Sequence, residues 1–170
     1  MRLIPFLCGL AALAFVQNAA AVTLSPIAFS PEFETELNDE LGVREGEYLR
    51  SYAEQAVQDA LTSRGVQVGS GGGAIEIVIV DADPNRPTMQ QLRDEPSLDP
   101  IRSLSIGGAE LRAVLRGANG EVLTEVEHRR YNSSIEELIS MTPSTWTEAR
   151  HAIRVFAARV ADAYVANADR

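Results

Sequence analysis

Residues 109–131 read AELRAVLRGANGEVLTEVEHRRY, and this stretch decides the fold. Asn119-Gly120 is a strong β-hairpin signal, because it separates two segments in which apolar and polar residues alternate. A two-residue turn here brings opposite charges together across the strands, Arg112 with Glu127 and Glu110 with Arg129. Cross-strand pairs of this kind stabilise a sheet. The sequence therefore predicts an antiparallel hairpin with a defined register.

The predicted hairpin runs from Ser103 to Arg116 in its first strand and from Glu121 to Tyr131 in its second. In the first strand the apolar residues change parity just before Ala109, and Gly107-Gly108 lies at the change. Glycine inside a strand often marks a bulge. We therefore expect a β-bulge or a bend at these two glycines.

Two further strands are predicted before the hairpin. Residues 74–80, AIEIVIV, are almost continuously apolar and β-branched, which is typical of a central strand covered on at least one face. Residues 22–30 alternate in character and contain Pro26, which cannot donate a ladder hydrogen bond. We expect this segment to lie at a sheet edge or to be irregular.

A long helix is predicted over residues 46–64, because its apolar residues recur at helical spacing and Gly65 follows as a helix-ending glycine. Its apolar stripe is Leu49, Tyr52, Ala53, Ala56, Val57, Ala60 and Leu61. Residues 32–47 hold seven acidic residues. This composition predicts a solvated connection with at most a helical turn.

The last part of the chain predicts two more helices. Ser134 to Glu137 has capping-box spacing and opens a short helix to Met141, and Thr145 to Glu148 repeats the pattern and opens a long helix to about Ala168. The stripe of the long helix is Trp146, Ala149, Ile153, Phe156, Val160 and Tyr164. The order β-α-β-β-β-α predicts an α+β fold, a two-layer sandwich with both long helices on one face of a mixed sheet.

Residues 1–21 have the three parts of a secretory signal peptide. Arg2 supplies the positive charge, residues 3–16 are an apolar run, and Ala19-Ala20-Ala21 supplies the small residues of a cleavage site. The run is shorter than the roughly 20 residues that span a bilayer. We expect cleavage after Ala21, one domain over residues 22–170, and a periplasmic or secreted location.

Composition argues against several classes of partner. The formal net charge is −9, so we expect no nucleic-acid binding, and no membrane association after cleavage. The single cysteine, Cys8, lies in the predicted signal peptide, which leaves the mature chain without a disulfide, a thiol nucleophile or a cysteine-ligated metal. Cys8 also comes too early in the apolar run for lipid attachment.

Residues 81–102 are a polar segment with four prolines, long enough to be a mobile or functional loop. Asp81-Ala82-Asp83-Pro84-Asn85 resembles the start of a calcium loop, but Arg86 and Leu92 stand where an EF-hand needs glycine and glutamate. A looser metal or ligand site at Asp81 and Asp83 stays open. The acids that can complete it are Asp94, Glu95 and Asp99. The alternative is that these turn-forming residues only end a strand.

The other candidate residues are His128, Arg129 and Arg130. His128 shares a predicted face with Val126 and Leu111, which favours a packed imidazole over a general base. The three residues form a small basic patch in an acidic chain. This patch can bind an anion or a partner's carboxylate, or its residues can pair with local acids such as Glu110 and Glu127.

A resemblance to known proteins is carried by Leu104–Leu115 (LSIGGAELRAVL), the Asn119-Gly120 turn and Val122-Leu123. This strand–turn–strand segment resembles the hairpins of small exported bacterial α/β domains, namely the transport-auxiliary lipoproteins and the N-terminal domain of the Tol-system β-propeller protein. The resemblance implies a small envelope domain and supplies no catalytic residue. The missing lipid-attachment cysteine departs from the lipoprotein pattern.

The sequence favours a non-catalytic periplasmic domain that binds a protein partner or assists an envelope assembly. We expect the partner surface on the uncovered sheet face or on residues 81–102. One alternative is a small-ligand or metal-binding protein, or an enzyme, that uses Asp81 and Asp83 with His128. Another is a secreted effector. No cofactor is predicted.

Overall fold

The computed structural model describes residues 21–167, so the predicted signal peptide lies outside the described residues except for Ala21. The strands are β1 (Thr23–Leu24), β2 (Ala28–Phe29), β3 (Ala74–Asp83), β4 (Gly108–Arg116) and β5 (Val122–Tyr131). The α-helices are α1 (Pro31–Glu36), α2 (Val43–Thr62), α3 (Met89–Asp94), α4 (Ile135–Met141) and α5 (Thr147–Asn167). A π-helical turn, Leu37–Leu41, joins α1 to α2. Among these residues no helix combines the length and apolar character that crossing a bilayer requires.

The strands form one mixed sheet in the order β1-β3-β4-β5, with β2 also paired to β3. β1 and β2 run parallel to β3 along the same edge, on either side of Pro26. β3, β4 and β5 are antiparallel neighbours. The edge position of residues 22–30 and the central position of residues 74–80 are both confirmed.

The long helices α2 and α5 pack against each other and share one apolar core with the sheet. From α2 the core contains Leu49, Ala53, Val57 and Leu61; from the sheet it contains Ile75, Ile77, Ile79, Leu111, Ala113 and Leu115. Every member of the apolar stripe predicted for the last helix is also buried there. Burying one such aliphatic or aromatic side chain contributes about 1.5–3 kcal/mol. The predicted α+β fold is confirmed.

The register of the hairpin is confirmed. Arg112 lies opposite Glu127, and Glu110 lies opposite Arg129. Both pairs are ion pairs, with N–O distances of 3.3 and 3.2 Å respectively. The charges that suggested the register therefore contact each other in the sheet.

The turn of the hairpin is longer than predicted. It spans Gly117–Gly120, where the Gly120 N–H donates to the Gly117 carbonyl and Gly120 has φ of +84°. A type I turn followed by a left-handed glycine has this geometry and carries a bulge. A register shift between Leu115 and Arg116 compensates for the extra loop residue and restores the predicted pairing.

Of the β-bulge or bend predicted at Gly107-Gly108, the bulge is wrong, because β4 begins only at Gly108 and no register shift falls at either glycine. The irregularity lies in β3, between Ile79 and Asp81. Since a bulge reverses the alternation of side chains, Asp81 and Asp83 leave the core face that Ile79 occupies and lie on the opposite face. The bulge thus keeps two carboxylates out of an apolar core, where each would need a partner.

The prediction of a solvated connection over residues 32–47 is also wrong. The segment folds as α1, the π-helical turn and the start of α2. Ser30 Oγ caps α1 by accepting the Phe33 N–H. Phe33, Leu37 and Leu41 are buried at four-residue spacing, while the acids between them are mostly exposed. Because acidic residues dominate the composition of this segment, its short amphipathic stripe is not recognised from the sequence.

The segment predicted as a loop over residues 81–102 contains the end of β3 and helix α3, which begins at a capping box of Thr88 and Gln91. Asn85 fixes the segment to its surroundings and is fully buried. Its side-chain oxygen accepts the Glu148 N–H at 2.9 Å, and its carbonyl accepts a backbone N–H from the residues before β4. This segment is therefore attached to α5.

Candidate functional site

A cleft of about 390 Å³ opens where β3 ends. Asp83 enters it from the end of β3, and Glu36 enters it from the last residue of α1. The remaining lining residues include Leu41, Pro84, Pro87, Gln91, Leu98 and Leu104. We call this feature the acidic cleft. It contains one of the two aspartates that the sequence singled out, and a glutamate that the sequence analysis missed.

Asp81 is held in place by Tyr131, whose hydroxyl donates a hydrogen bond to the Asp81 carboxylate. Tyr131 lies opposite Gly108 in the sheet. A Cβ atom at Gly108 would lie 2.6 Å from the Tyr131 ring. Glycine at this position therefore allows the tyrosine ring to cross β4 and reach β3.

Burial and the charges of neighbouring carboxylates raise the pKa values of the two acids of the cleft, Glu36 and Asp83. Burial raises the pKa of Glu36, and the charges of Asp81 and Asp83 raise it further. Burial and the Asp81 charge likewise raise the pKa of Asp83, with a partial offset from Arg129. Burial and the hydrogen bond to Asp81 raise the pKa of Tyr131, which keeps its hydroxyl protonated. The cleft therefore holds protons more readily than isolated carboxylates do.

We predict that Asp83→Asn stabilises the protein at neutral pH. A raised pKa means that the folded state binds more protons than the unfolded chain. The contributions of Glu36 and Asp83 to the free energy of unfolding therefore increase as the pH falls from neutrality towards their ordinary pKa values, 4.5 and 3.8. Asp83→Asn removes one repelling charge and is expected to raise Tm at neutral pH. Below the ordinary values, where both carboxyls are protonated, it is expected to change Tm little.

The matched control for this prediction is Asp99→Asn. Backbone hydrogen bonds from Arg102 and Ile101 lower the pKa of Asp99, so its ionised form stabilises the fold and the substitution is expected to lower Tm at neutral pH. Thermal melts across the pH range measure both variants. A lower Tm for Asp83→Asn at neutral pH would show that the carboxylates of the acidic cleft stabilise the fold.

The chemistry available to the acidic cleft is to hold protons and to accept hydrogen bonds from donors or cations. Its two hydroxyls are already engaged, since Ser105 Oγ donates to the Pro84 carbonyl and Ser103 Oγ accepts the Asp99 N–H. The acids grouped by the sequence analysis with Asp81 and Asp83, namely Asp94, Glu95 and Asp99, do not line it. Within residues 21–167 no three acidic, histidine or cysteine side chains are placed to hold a metal ion together.

The predicted basic patch is divided between the two faces of the sheet. His128 is buried on the helix side, and burial lowers its pKa. Arg130 points to the same side and pairs with Glu148 at the start of α5, with an N–O distance of 2.5 Å. Arg129 points to the opposite face and pairs with Glu110. The three residues therefore do not share one surface.

A second groove, of about 510 Å³, lies between the start of α2 and helix α3. Val43 and Met89 line it and are 56% and 68% exposed, and Tyr48, one turn further along α2, is also exposed. The Gln90 side chain ties α3 to the π-helical turn by donating to the Asp39 carbonyl at 3.2 Å. We call this feature the α2–α3 groove. This groove was not predictable from the sequence, because neither Val43 nor Met89 belongs to a predicted apolar stripe.

The uncovered face of the sheet carries charges that pair with one another. Arg112 contacts Glu110 and Glu127 at 3.2 and 3.3 Å, and Arg116 contacts Glu76 at 3.0 Å. Each of these charges already has a partner within the sheet. Of the two partner surfaces predicted from the sequence, the region around residues 81–102 is therefore the one with exposed apolar side chains beside a groove.

Comparisons with known proteins give a family match and several similar solved structures. A family model described as "Protein of unknown function (DUF3313)" matches residues 11–160. No curated protein sequence matches the chain significantly. A minor lipoprotein from Acinetobacter baumannii is 12% identical with a TM-score of 0.42, and the match covers 88% of this chain and 94% of the lipoprotein. A Xanthomonas campestris protein of family DUF330 is 12% identical with a TM-score of 0.40, over 91% of this chain and 85% of that protein. The resemblance to transport-auxiliary lipoproteins and the Tol-system domain stays a prediction.

Proposed function

This chain belongs to the DUF3313 family, and we propose that it is an exported, non-catalytic domain of the cell envelope that binds a protein partner through the α2–α3 groove. The signal-peptide pattern of residues 1–21 supports the location. The exposed apolar side chains of the groove support the binding role.

The observation that carries the proposal is the exposure of Val43, Tyr48 and Met89 around one concave surface. Apolar side chains gathered at a groove and rimmed by polar residues mark interaction sites. The groove is supported from below by Leu41, which is buried, and from the side by the Gln90 hydrogen bond. A preformed groove loses little conformational entropy on binding, so its apolar contacts contribute more fully to affinity.

An enzyme or metal site built from Asp81, Asp83 and His128 receives less support. The two aspartates lie on the sheet face away from the long helices α2 and α5, whereas His128 is buried on the side that these helices cover. A general base must lie within hydrogen-bond reach of the group it serves. The Tyr131 hydroxyl also donates a hydrogen bond to Asp81, so this carboxylate already has a donor. These side chains do not converge on one substrate position.

Val43→Glu and Met89→Glu are the variants that test the groove. Each introduces a charge into the apolar surface, and each is expected to reduce recovery of the partner at least about tenfold, as loss of a central interface contact does. The tagged chain is expressed in its native host and purified from envelope extract. Quantitative mass spectrometry measures the co-purified proteins, and thermal melts show that the variants are folded.

Val165→Glu is the matched control, because Val165 is a 44% exposed valine near the other end of α5 and outside the groove. The proposal expects wild type and Val165→Glu to recover the same stoichiometric partner and the two groove variants to lose it. Failure of wild type to recover any partner would overturn the proposal. Equal recovery by the groove variants and the control would do the same.

A further inference from the structure

Two arginines of α5 converge on one tyrosine of α2, on the outer side of this helix pair. Arg154 Nη1 donates a 2.9 Å hydrogen bond to the Tyr52 hydroxyl. The guanidinium of Arg150 lies 5.1 Å from the centre of the Tyr52 ring. Tyr48 stacks on Tyr52, with 6.3 Å between ring centres. We call these four side chains the Arg–Tyr cluster.

The arginines of the Arg–Tyr cluster have no carboxylate partner in the described part of the chain. Neither Arg150 nor Arg154 takes part in any of the ion pairs formed there. Arg150 Nε is buried and has no hydrogen-bond acceptor. Arginines of the open sheet face behave differently, since Arg112 and Arg116 each contact a glutamate. Arg154 is exposed and uses one of the five N–H donors of its guanidinium for Tyr52, which leaves its other donors available to a ligand.

A groove of about 360 Å³ continues from the Arg–Tyr cluster along α2, and Tyr52, Ala56, Ala60 and Arg154 are among the residues that line it. Asp59 lies at its far end, where the Gln55 amide donates to it at 2.8 Å. Seven residues separate Asp59 from Tyr52, which is about 10 Å along a helix axis. The groove therefore presents positive charge at one end and an apolar floor beside it.

We propose that Arg150 and Arg154 bind a carboxylate of the protein partner, while an adjacent apolar side chain of the same partner segment lies in the groove over Ala56 and Ala60. A guanidinium matches a carboxylate in shape and binds it through two parallel hydrogen bonds. Tyr48 borders the α2–α3 groove and stacks on Tyr52, so the two surfaces are continuous. The inference rests on the proposed function, because the proposed function is what assigns the carboxylate to a side chain of the protein partner.

Tyr52 provides a direct readout of this site. Burial alone would raise the pKa of Tyr52, but the hydrogen bonds and charges of Arg154 and Arg150 together lower it. A carboxylate bound by the two arginines neutralises part of their charge. It is therefore expected to raise the Tyr52 pKa, which ultraviolet absorbance follows as the phenol ionises. Tyr52→Phe identifies the Tyr52 component among the four tyrosines of the chain.

The probe is an acetylated, amidated tripeptide with glutamate at both ends and leucine in the middle, and its glutamine counterpart is the uncharged comparison. We expect the glutamate peptide to shift backbone amide resonances around Tyr52, Ala56 and Arg154 and to raise the Tyr52 pKa. Arg154→Met is expected to weaken this binding about tenfold, since it removes a charge-assisted hydrogen-bond donor. Arg159→Met, at an exposed arginine of the same helix, is the matched control and is expected to bind like wild type.

Equal binding of the glutamate and glutamine peptides would overturn the inference, and so would unchanged binding by Arg154→Met. Absence of localised shifts with the glutamate peptide would overturn it as well. Partner recovery from envelope extract separates this inference from the proposed function. If Arg154→Met recovers the partner as well as wild type while Met89→Glu does not, the carboxylate site is wrong and the α2–α3 groove stands.

Discussion

Phe33→Ala is expected to destabilise the protein by about 3–5 kcal/mol, the usual effect of removing a fully buried aromatic side chain. Phe33 is 1% exposed, and its ring meets that of Phe29 edge to face with 5.6 Å between centres. This contact joins α1 to the edge strand β2, and α1 in turn carries Glu36 to the acidic cleft. Denaturant unfolding measures the loss as a lower midpoint at unchanged slope.

Ile139→Ala is the control for Phe33→Ala, because Ile139 is an exposed apolar residue of α4 and its truncation is expected to change stability by no more than about 0.5 kcal/mol. A loss for Phe33→Ala as small as that of the control would contradict the fold. It would mean that residues 31–41 form the solvated connection that their composition indicates.

Arg130→Met is expected to reduce the free energy of unfolding by about 3 kcal/mol, the lower end of the effect of breaking a buried ion pair, because Glu148 is buried but Arg130 is partly exposed. Glu148 is 4% exposed as a residue, and its carboxylate pairs with Arg130. Without the arginine a buried carboxylate has lost its countercharge. The start of α5 retains part of the stabilisation, because a helix N-terminus favours negative charge. Denaturant unfolding at neutral pH is the measurement.

Arg129→Met is the matched control, since Arg129 is the adjacent residue and undergoes the same substitution. Its side chain and its ion pair with Glu110 lie at the solvent-exposed face, so its loss is expected to cost at most about 1 kcal/mol. The double variant Arg130→Met with Glu148→Met removes the buried carboxylate together with its partly exposed arginine and is expected to be more stable than Arg130→Met alone. Equal losses for Arg129→Met and Arg130→Met would contradict the burial of Glu148.

The parts of the fold that depend on local information were predictable from the sequence. The hairpin register follows from the position of a turn and is checked by two independent charge pairs, one of which is Arg112 with Glu127. The register survives even though the turn is longer, because the bulge beside Leu115 absorbs the difference. The buried stripe of α5 repeats at helical spacing over many turns, so it stands out from composition alone.

Two other features depend on packing between distant segments. The bulge lies in β3, where it moves Asp81 away from the buried face that Ile79 occupies. The glycines before and at the start of β4 therefore gave no indication of where the bulge lies. The stripe of Phe33, Leu37 and Leu41 is too short to outweigh the surrounding acids in the sequence. The stripe is recognised only in the folded structure, where α1 and the π-helical turn contact the rest of the core.

The candidate sites likewise include residues that were predictable from the sequence and residues that were not. Asp81 and Asp83 were predictable as a pair, because alternate residues of a strand share a face. Glu36 was not, since it comes from a segment predicted to be irregular and reaches the acidic cleft only through the folded α1. The α2–α3 groove combines Val43 with Met89, from two segments far apart in the sequence. Surfaces formed by such pairs have no signature in either segment.

Site-specific photocrosslinking in living cells of the native host tests the central claim, partner binding through the α2–α3 groove, most directly. A photoreactive amino acid is placed at Met89 in one strain and at Val165 in another, both exposed positions. Our account predicts one crosslinked complex of defined mass from position 89, formed in the envelope fraction, and none from position 165. No crosslink from position 89 in a folded, exported chain, or equal crosslinking from both positions, would contradict it.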